Sequence, residues 1–338
     1  MKANSLCLGA LKLKSNLILA PLAGISDLPF RRLNRAFGCE LAFTEMLNVR
    51  SLSHKSKKTM QMLSTDSLDR PLGVQILGCE EKYIIKGLDV LSKYRFDILD
   101  FNAACPVRKV VRRGEGAGLL RNPKKLAKLL KLVVRRCRVP VSVKIRSGWD
   151  RDSVNAKDVA LLCEDAGASA LFIHGRTKEQ IYSGAVDYKI IGMVKKAVGI
   201  AVIASGDILS PQLSARMLKE TGCDGLVIAR GSLGNPWIFK QVNSYLKNGE
   251  IIPMPSKDEI IRTMLLHLGL CVDFYAQRVG VMIFRKFFAW YTKGFRKVRQ
   301  LREISSRART KDEMIAIIKA CAGGINEKSP LATGIIHR

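Results

Sequence analysis

From residue 16 onward, short apolar runs alternate with longer amphipathic stretches, and the runs can be counted. They cover residues 16–21, 41–44, 72–77, 97–102, 139–145, 170–174, 200–204 and 225–229, and stretches such as 123–136 and 154–166 place apolar residues at helical spacing. Eight strand and helix units in about 240 residues predict an α/β fold, a (β/α)8 or TIM barrel. A doubly wound open sheet fits less well. No Gly-x-Gly-x-x-Gly follows the first run, and polar residues end nearly every run rather than only those at one crevice. Past Gly249 the strand signals stop. Pro253 and Pro255 mark a linker, and 257–277, 279–295 and 311–320 have helical spacing, so a barrel domain over 1–250 and a smaller all-helical domain over 251–338 are expected.

The fourth run carries the most chemistry. Ile98, Leu99 and Phe101 give the strand signal and Asn102 is expected to end it. Pro106 cannot donate to a ladder, which puts Cys105 on a loop just past a strand's carboxyl end. In a barrel that is the catalytic face. Lys144 lies inside the fifth run, Val-Ser-Val-Lys-Ile, where a lysine must find an anion or shift its pKa, unless the strand stops one residue early and leaves it at the rim. His174 ends the sixth run, and a lone histidine there also suits a purely structural role. With Gln75, Asn102 and Cys105 these residues make a ring of donors around one mouth, suited to a planar, anionic, hydrogen-bonding ligand. Ser205-Gly206-Asp207 and Arg230-Gly231-Ser232 follow runs seven and eight, where barrels bind phosphate. The same glycines would also serve simple tight turns.

Charge narrows the class of partner. The chain holds 57 Lys and Arg against 29 Asp and Glu, a net charge of +28 with a pI near 10.0. A polyanion is the expected partner, nucleic acid ahead of an anionic membrane, unless the source proteome is lysine-rich throughout. Residues 105–151 carry 15 Lys or Arg against two acids, and 293–311 carry eight against Glu303 alone. One run borders the Cys105 loop and the other lies in the helical domain, so together they could line a groove. The nine cysteines are odd in number and no two lie within four positions of each other, which reads as reduced thiols in a cytoplasmic protein without a metal site. Residues 6–13 are too short and too charged for a secretory signal, and no apolar run suits a membrane span.

Taken together, Pro21-Leu-Ala-Gly24 with Asp27 and Phe30-Arg31, Gln75, Asn102-Ala-Ala-Cys105-Pro106, Gly114-Glu-Gly-Ala-Gly118, Val143-Lys-Ile145, His174-Gly-Arg-Thr177, Gly206-Asp207 and Ala229-Arg230 resemble the tRNA-dihydrouridine synthases. The resemblance continues into the tail at Arg285-Lys286 and Trp290-Tyr291 and sits closest to the bacterial B-type branch. It implies an FMN-dependent oxidoreductase that reduces the C5=C6 bond of selected uridines in tRNA, with NADPH (or NADH) as reductant and no obligate protein partner. Cys105 would be the catalytic proton donor to C5. Pro21, Leu22 and Ala23 would wall the isoalloxazine, and Gln75, Asn102, Lys144 and His174 would contact its polar edge. Ser205, Gly206, Asp207, Ala229 and Arg230 would hold the ribityl phosphate. The target base must be extruded to reach the flavin, with Arg108, Lys109, Arg112 and Arg113 beside the pocket and the helical tail on the tRNA body.

Two positions depart from the family pattern. Ser205 stands where Asn is usual, and Phe287 where His is frequent. Two other readings compete. A flavin-dependent dehydrogenase of a small pyrimidine, of the dihydroorotate type, would share the phosphate loops and the strand lysine but gives no reason for +28. A non-catalytic RNA-binding protein would explain the charge but gives no reason for Cys105, Lys144, His174 and Arg230 to stand together.

Overall fold

Strands β1 (Leu6–Leu8) and β2 (Leu11–Leu13) pair antiparallel as a hairpin, which the apolar pattern did not predict. Then follow β3 (Leu17–Leu19), β4 (Leu41–Phe43), β5 (Leu47–Asn48), β6 (Leu72–Leu77), β7 (Ile98–Ala103), β8 (Val141–Arg146), β9 (Ala170–His174), β10 (Ala201–Ser205) and β11 (Gly225–Ile228). This computed structural model describes residues 5–296 and 298–323. Lys297 of the second basic run, and residues 324–338 of the predicted helical domain, lie outside the described residues.

The parallel ladder runs β3, β4, β6, β7, β8, β9, β10, β11 and back to β3, a closed eight-stranded barrel; β5 only extends the ladder beside β6. Continuous apolar runs make these strands because both faces of a parallel sheet are covered. Two strands outrun expectation. β7 continues through Ala103 rather than ending at Asn102, and β8 reaches Arg146, so Lys144 sits within the ladder rather than at a frayed rim.

The connecting helices begin where local chemistry starts them. Helix Pro123–Arg136 is opened by Asn122, whose side chain accepts from the Lys125 N–H, with proline at the first position. Its Leu126, Leu129, Leu130 and Val133 make the buried stripe expected of a helix laid on a sheet. Inside the barrel, Phe43 and Phe172 meet edge to face at 5.6 Å. Leu6, Leu8 and Leu13 of the hairpin share one buried cluster with Ile18, Leu41, Phe43, Phe172 and Ile203. At the hairpin turn Gly9 has φ +61°, and a Cβ there would lie 2.9 Å from that of Ser169. Ser169 precedes β9, so the hairpin closes the amino-terminal end of the barrel.

The described residues divide into two compact units. One holds the chain through Gly231 together with Ile238–Ile251, and the other holds Ser232–Trp237 and the chain from Ile252 on. The second unit is helical: Lys257–Tyr275, Gln277–Tyr291, Arg299–Ser305 and Lys311–Gly323, the third of which lay hidden in the basic run. His267 is buried there against Phe284, Phe287 and Tyr291, and burial pushes its imidazole down to about 3. Arg285 donates from Nε to the Ala308 carbonyl at 3.0 Å. The tail motif therefore has a packing role in at least Arg285, Phe287 and Tyr291.

One buried ion cluster ties the fold to the barrel mouth. Asp69 accepts from Arg31 Nη2 at 2.7 Å and from Arg35 Nε at 2.9 Å, with Arg31 and Asp69 wholly buried. Arg31 Nη1 also holds the Ser26 carbonyl at 2.8 Å, in the loop that follows β3. Breaking a buried pair strands a charge, at a cost of about 3–5 kcal/mol. Asp69→Ala is therefore expected to lower unfolding free energy by that amount in urea titration, and a change under 1 kcal/mol would show the cluster to be dispensable.

Candidate active site

Because every barrel strand points the same way, the carboxyl ends gather their side chains at one rim. Pro21, Leu22, Ala23, Gln75, Asn102, Cys105, Lys144, His174, Ser205, Gly206, Asp207, Ala229 and Arg230 all line one cavity of about 230 Å³. Arg108, Lys109, Arg112 and Arg113 do not line it; Arg108 and Arg112 line a neighbouring cavity.

Asp100 organises the floor on the β6–β7–β8 side. Its carboxyl accepts from Ser142 Oγ and from Gln75 Nε2, both at 2.7 Å. An ionised carboxylate only accepts, so Gln75 must turn its NH₂ toward it and its oxygen away. That oxygen takes the Asn102 Nδ2 at 2.8 Å. Asn102 Oδ1 then receives the main-chain N–H groups of Ala104 and Cys105 at 3.0 and 2.9 Å. One buried charge thus orients two amides and anchors the cysteine loop. Burial raises Asp100 to about 6, against the opposing pull of Gln75, Ser142 and Lys144, which leaves it ionised at neutral pH.

Lys144 answers the question its position posed in both ways. Burial brings its amine down to about 8, Asp100 works against that, and the Arg146 charge adds to it. Its Nζ donates to Ser205 Oγ at 3.2 Å, and the Ser205 hydroxyl donates to the Ile173 carbonyl at 3.1 Å. The hydroxyl at position 205 is thereby occupied within the protein.

The opposite corner is cationic. Asp207, at φ +50°, accepts from both Arg176 and Arg230, the latter at 2.6 Å. Two guanidiniums on one carboxylate leave net positive charge and hold Asp207 below the usual carboxylate range. Gly206 has φ +122°, and a Cβ on it would stand 2.9 Å from His174 Cδ2. The main-chain N–H groups of Gly206 and Asp207 make no hydrogen bond to any described residue. His174 itself is pushed down to about 2, by burial first and then by Arg146, Lys144, Arg176 and Arg230. It is a neutral imidazole, and the approach of Arg176 Nη1, which can only donate, makes Nε2 the acceptor.

Cys105 is half-buried, and burial raises its thiol pKa while Arg146 pulls the other way. Its carbonyl accepts from Ala117 N–H at 3.1 Å. Gly116, at φ +57°, passes so close that a Cβ would be 2.8 Å from that carbonyl. The glycine-rich segment 114–118 is thus a backing plate for the cysteine loop.

Sequence reasoning missed Met46, Asp100, Arg146 and Tyr182. Arg146 is buried without an ion pair among the described residues, bonding instead the carbonyls of Ala104, Thr177 and Ile181 at 2.8, 2.9 and 2.9 Å. The spacing Lys144-x-Arg146 on one strand face was its signal. Tyr182 lies on a loop beyond β9, beneath Arg230 at 4.7 Å, and nothing local marks it.

A model described as dihydrouridine synthase (Dus) matches residues 18–324. The chain is 38% identical over 312 residues to "tRNA-dihydrouridine synthase B" of Pseudomonas aeruginosa, covering 92% of this chain and 94% of the relative. It is also 38% identical over 288 residues to a "Probable tRNA-dihydrouridine synthase" of Rickettsia bellii, covering 85% and 88%. Among solved structures, the amine oxidase for 6-hydroxypseudooxynicotine from Pseudomonas geniculata superposes with a TM-score of 0.57 at 13% identity, over 73% of this chain and 49% of that one. Histamine dehydrogenase from Rhizobium gives 0.56 at 12%, over 79% and 50%. These two likenesses are of fold.

The depressed imidazole has a consequence for stability. Below pH 6.5 the unfolded chain binds a proton at His174 that the folded site refuses, so stability present above 6.5 is lost as pH falls. The loss approaches about 1.4 kcal/mol per pH unit. His174→Gln is expected to flatten the acid limb of urea-unfolding free energy by that slope between pH 6 and 4.5, and an unchanged limb would show that His174 titrates normally.

Proposed function

The chain belongs to the dihydrouridine synthase family, and from that premise we propose how its cavity performs the reaction. The enzyme is an FMN-dependent oxidoreductase that reduces the C5=C6 bond of uridine in tRNA, using NADPH. The observation that carries the reading is one mouth combining an apolar wall, a rim of oriented amides with an ammonium, a cationic glycine corner and a thiol.

This donor set fits FMN. Pro21, Leu22 and Ala23 would cover a face of its ring system, while Gln75, Asn102, Lys144 and His174 would bond the polar edge. Lys144 suits the edge on which negative charge accumulates, since its remaining protons are not taken by Ser205. The N–H groups of Gly206 and Asp207, with Ala229 and the Arg230 side chain, would hold the phosphate. Bound and reduced, FMN supplies a hydride for C6 of the uracil.

The protein's own contribution is the second hydrogen. Hydride at C6 leaves an electron pair on C5 conjugated with the C4 carbonyl, and Cys105 donates a proton to C5, so the C5=C6 π bond becomes two C–H bonds. Raised by burial, the thiol is protonated across the neutral range and competent as an acid. Water re-protonates the thiolate when product leaves. Asn102 acts on this step indirectly, by fixing the Cys105 backbone.

The helical unit, with its basic run 293–311, would grip the tRNA body, and the site suits a cytoplasmic enzyme. No disulfide joins any of the nine cysteines, and no helix among the described residues is long and apolar enough to cross a membrane.

Incubation with FMN, NADPH and tRNA lacking the modification should produce dihydrouridine at a defined position. Its absence at every position, from protein that holds FMN, would overturn the reading. Cys105→Ala is expected to keep FMN and tRNA affinity while slowing dihydrouridine formation by about 10²- to 10⁴-fold. In the wild type the rate should fall only at alkaline pH, above the ordinary thiol range because burial raises this thiol, where the acid form is lost; equal turnover in the variant would remove Cys105 from the acid role.

A further inference from the structure

A second cavity, of about 850 Å³, opens beside the first and shares Pro106, Val107 and Tyr182 with it. Arg108, Arg112, Arg121 and Lys178 line it against a single carboxylate, Glu179. None of the four cations enters an ion pair among the described residues. At its centre stands Trp149, half-buried, with Lys178 Nζ 4.2 Å and the Arg121 guanidinium carbon 4.9 Å from the ring centroid.

The grouping is built by the backbone. Lys178 and Glu179 N–H groups donate to the Gly148 and Trp149 carbonyls at 2.9 and 3.0 Å, and Asn155 Nδ2 donates to the Leu120 carbonyl at 2.8 Å. Gly148 allows this closeness: a Cβ there would lie 2.4 Å from the Ser153 carbonyl oxygen. Arg121, Trp149 and Lys178 are therefore held together by three separate loops before any ligand arrives. Val107 and Tyr182, 56% and 54% exposed, form an apolar ridge between the two cavities.

Resting on the reading of the first cavity as the uridine site, we propose that the second holds the nucleotide next to the target uridine in the tRNA. Its phosphodiester sits on Arg121 and Lys178, which the Trp149 face keeps extended. Its base packs on the Val107 and Tyr182 ridge. Four cations outside any ion pair against one acid select a polyanion, and the shared wall suits an occupant continuous with the molecule in the first cavity. An exposed aromatic and aliphatic ridge is a poor partner for a free phosphate and a good one for a nucleobase.

The test uses FMN-loaded enzyme and unmodified tRNA. The double variant Arg121→Ala, Lys178→Ala should raise KM for tRNA about 10-fold with kcat within about 2-fold, and make the slope of log affinity against log salt shallower by about 1–2. FMN reduction by NADPH without RNA should be unchanged. Lys131→Ala with Lys189→Ala, exposed elsewhere on the barrel, measures the general effect of lost charge. Equal effects in the two double variants would overturn the subsite, as would failure of the charge-preserving Arg121→Lys, Lys178→Arg to restore affinity. Wild-type turnover is measured first: none would sink the uridine reading itself and this one with it, whereas normal turnover with an unmoved KM would sink only the subsite.

Discussion

Closure of eight parallel strands is the constraint on which the rest depends. Once β11 pairs back onto β3, the eight-stranded ladder is closed and every carboxyl end of it faces one rim. Gln75, Asn102, Lys144 and His174 come from four successive strands, and the ladder registers Asn102 opposite Lys144 and Arg146 opposite His174. Groups carried on strands are held more narrowly than groups carried on loops, which suits a site that must align two reacting molecules. The buried Arg31 and Asp69 cluster extends that precision to the loop after β3.

Within this frame the charge is deliberately unbalanced. Lys144, Arg146 and Arg230 line the cavity against a single lining carboxylate, Asp207, and Arg176 adds its field at His174. Burying excess charge is costly in the empty protein and is offset when an anion arrives. His174 gives up its own proton under that field, so the cavity offers a neutral imidazole amid fixed cations. Preorganised positive charge aimed at a site of developing negative charge is the largest single lever available to an enzyme.

Much of this was legible along the chain. Run 72–77 is β6, run 170–174 is β9, and stretch 123–136 is a helix with those bounds, because apolar periodicity and caps act locally. Cavity residues at strand ends were legible for the same reason: a polar side chain just after an apolar run is conspicuous. Asp100 was not, since it lies inside the run, and only its neighbours Gln75 and Ser142 explain a buried carboxylate there. Arg146 was hidden because β8 runs past its expected end, and Tyr182 because its place is set by the path of a long loop. The hairpin escaped notice because its two strands are only three residues each, too short for an alternation to stand out. Roles remained beyond the sequence where two distant segments share one task, as Arg121 and Lys178 do around Trp149.

That hairpin has a kinetic meaning. With Leu6, Leu8 and Leu13 plugging the amino-terminal end, the barrel is a cup rather than a tube. Whatever reaches the cavity floor from the rim must leave by the opening through which it came. An electron donor and an RNA that both use that mouth would have to occupy it in turn, so the plugged base suits a cycle in which one leaves before the other enters.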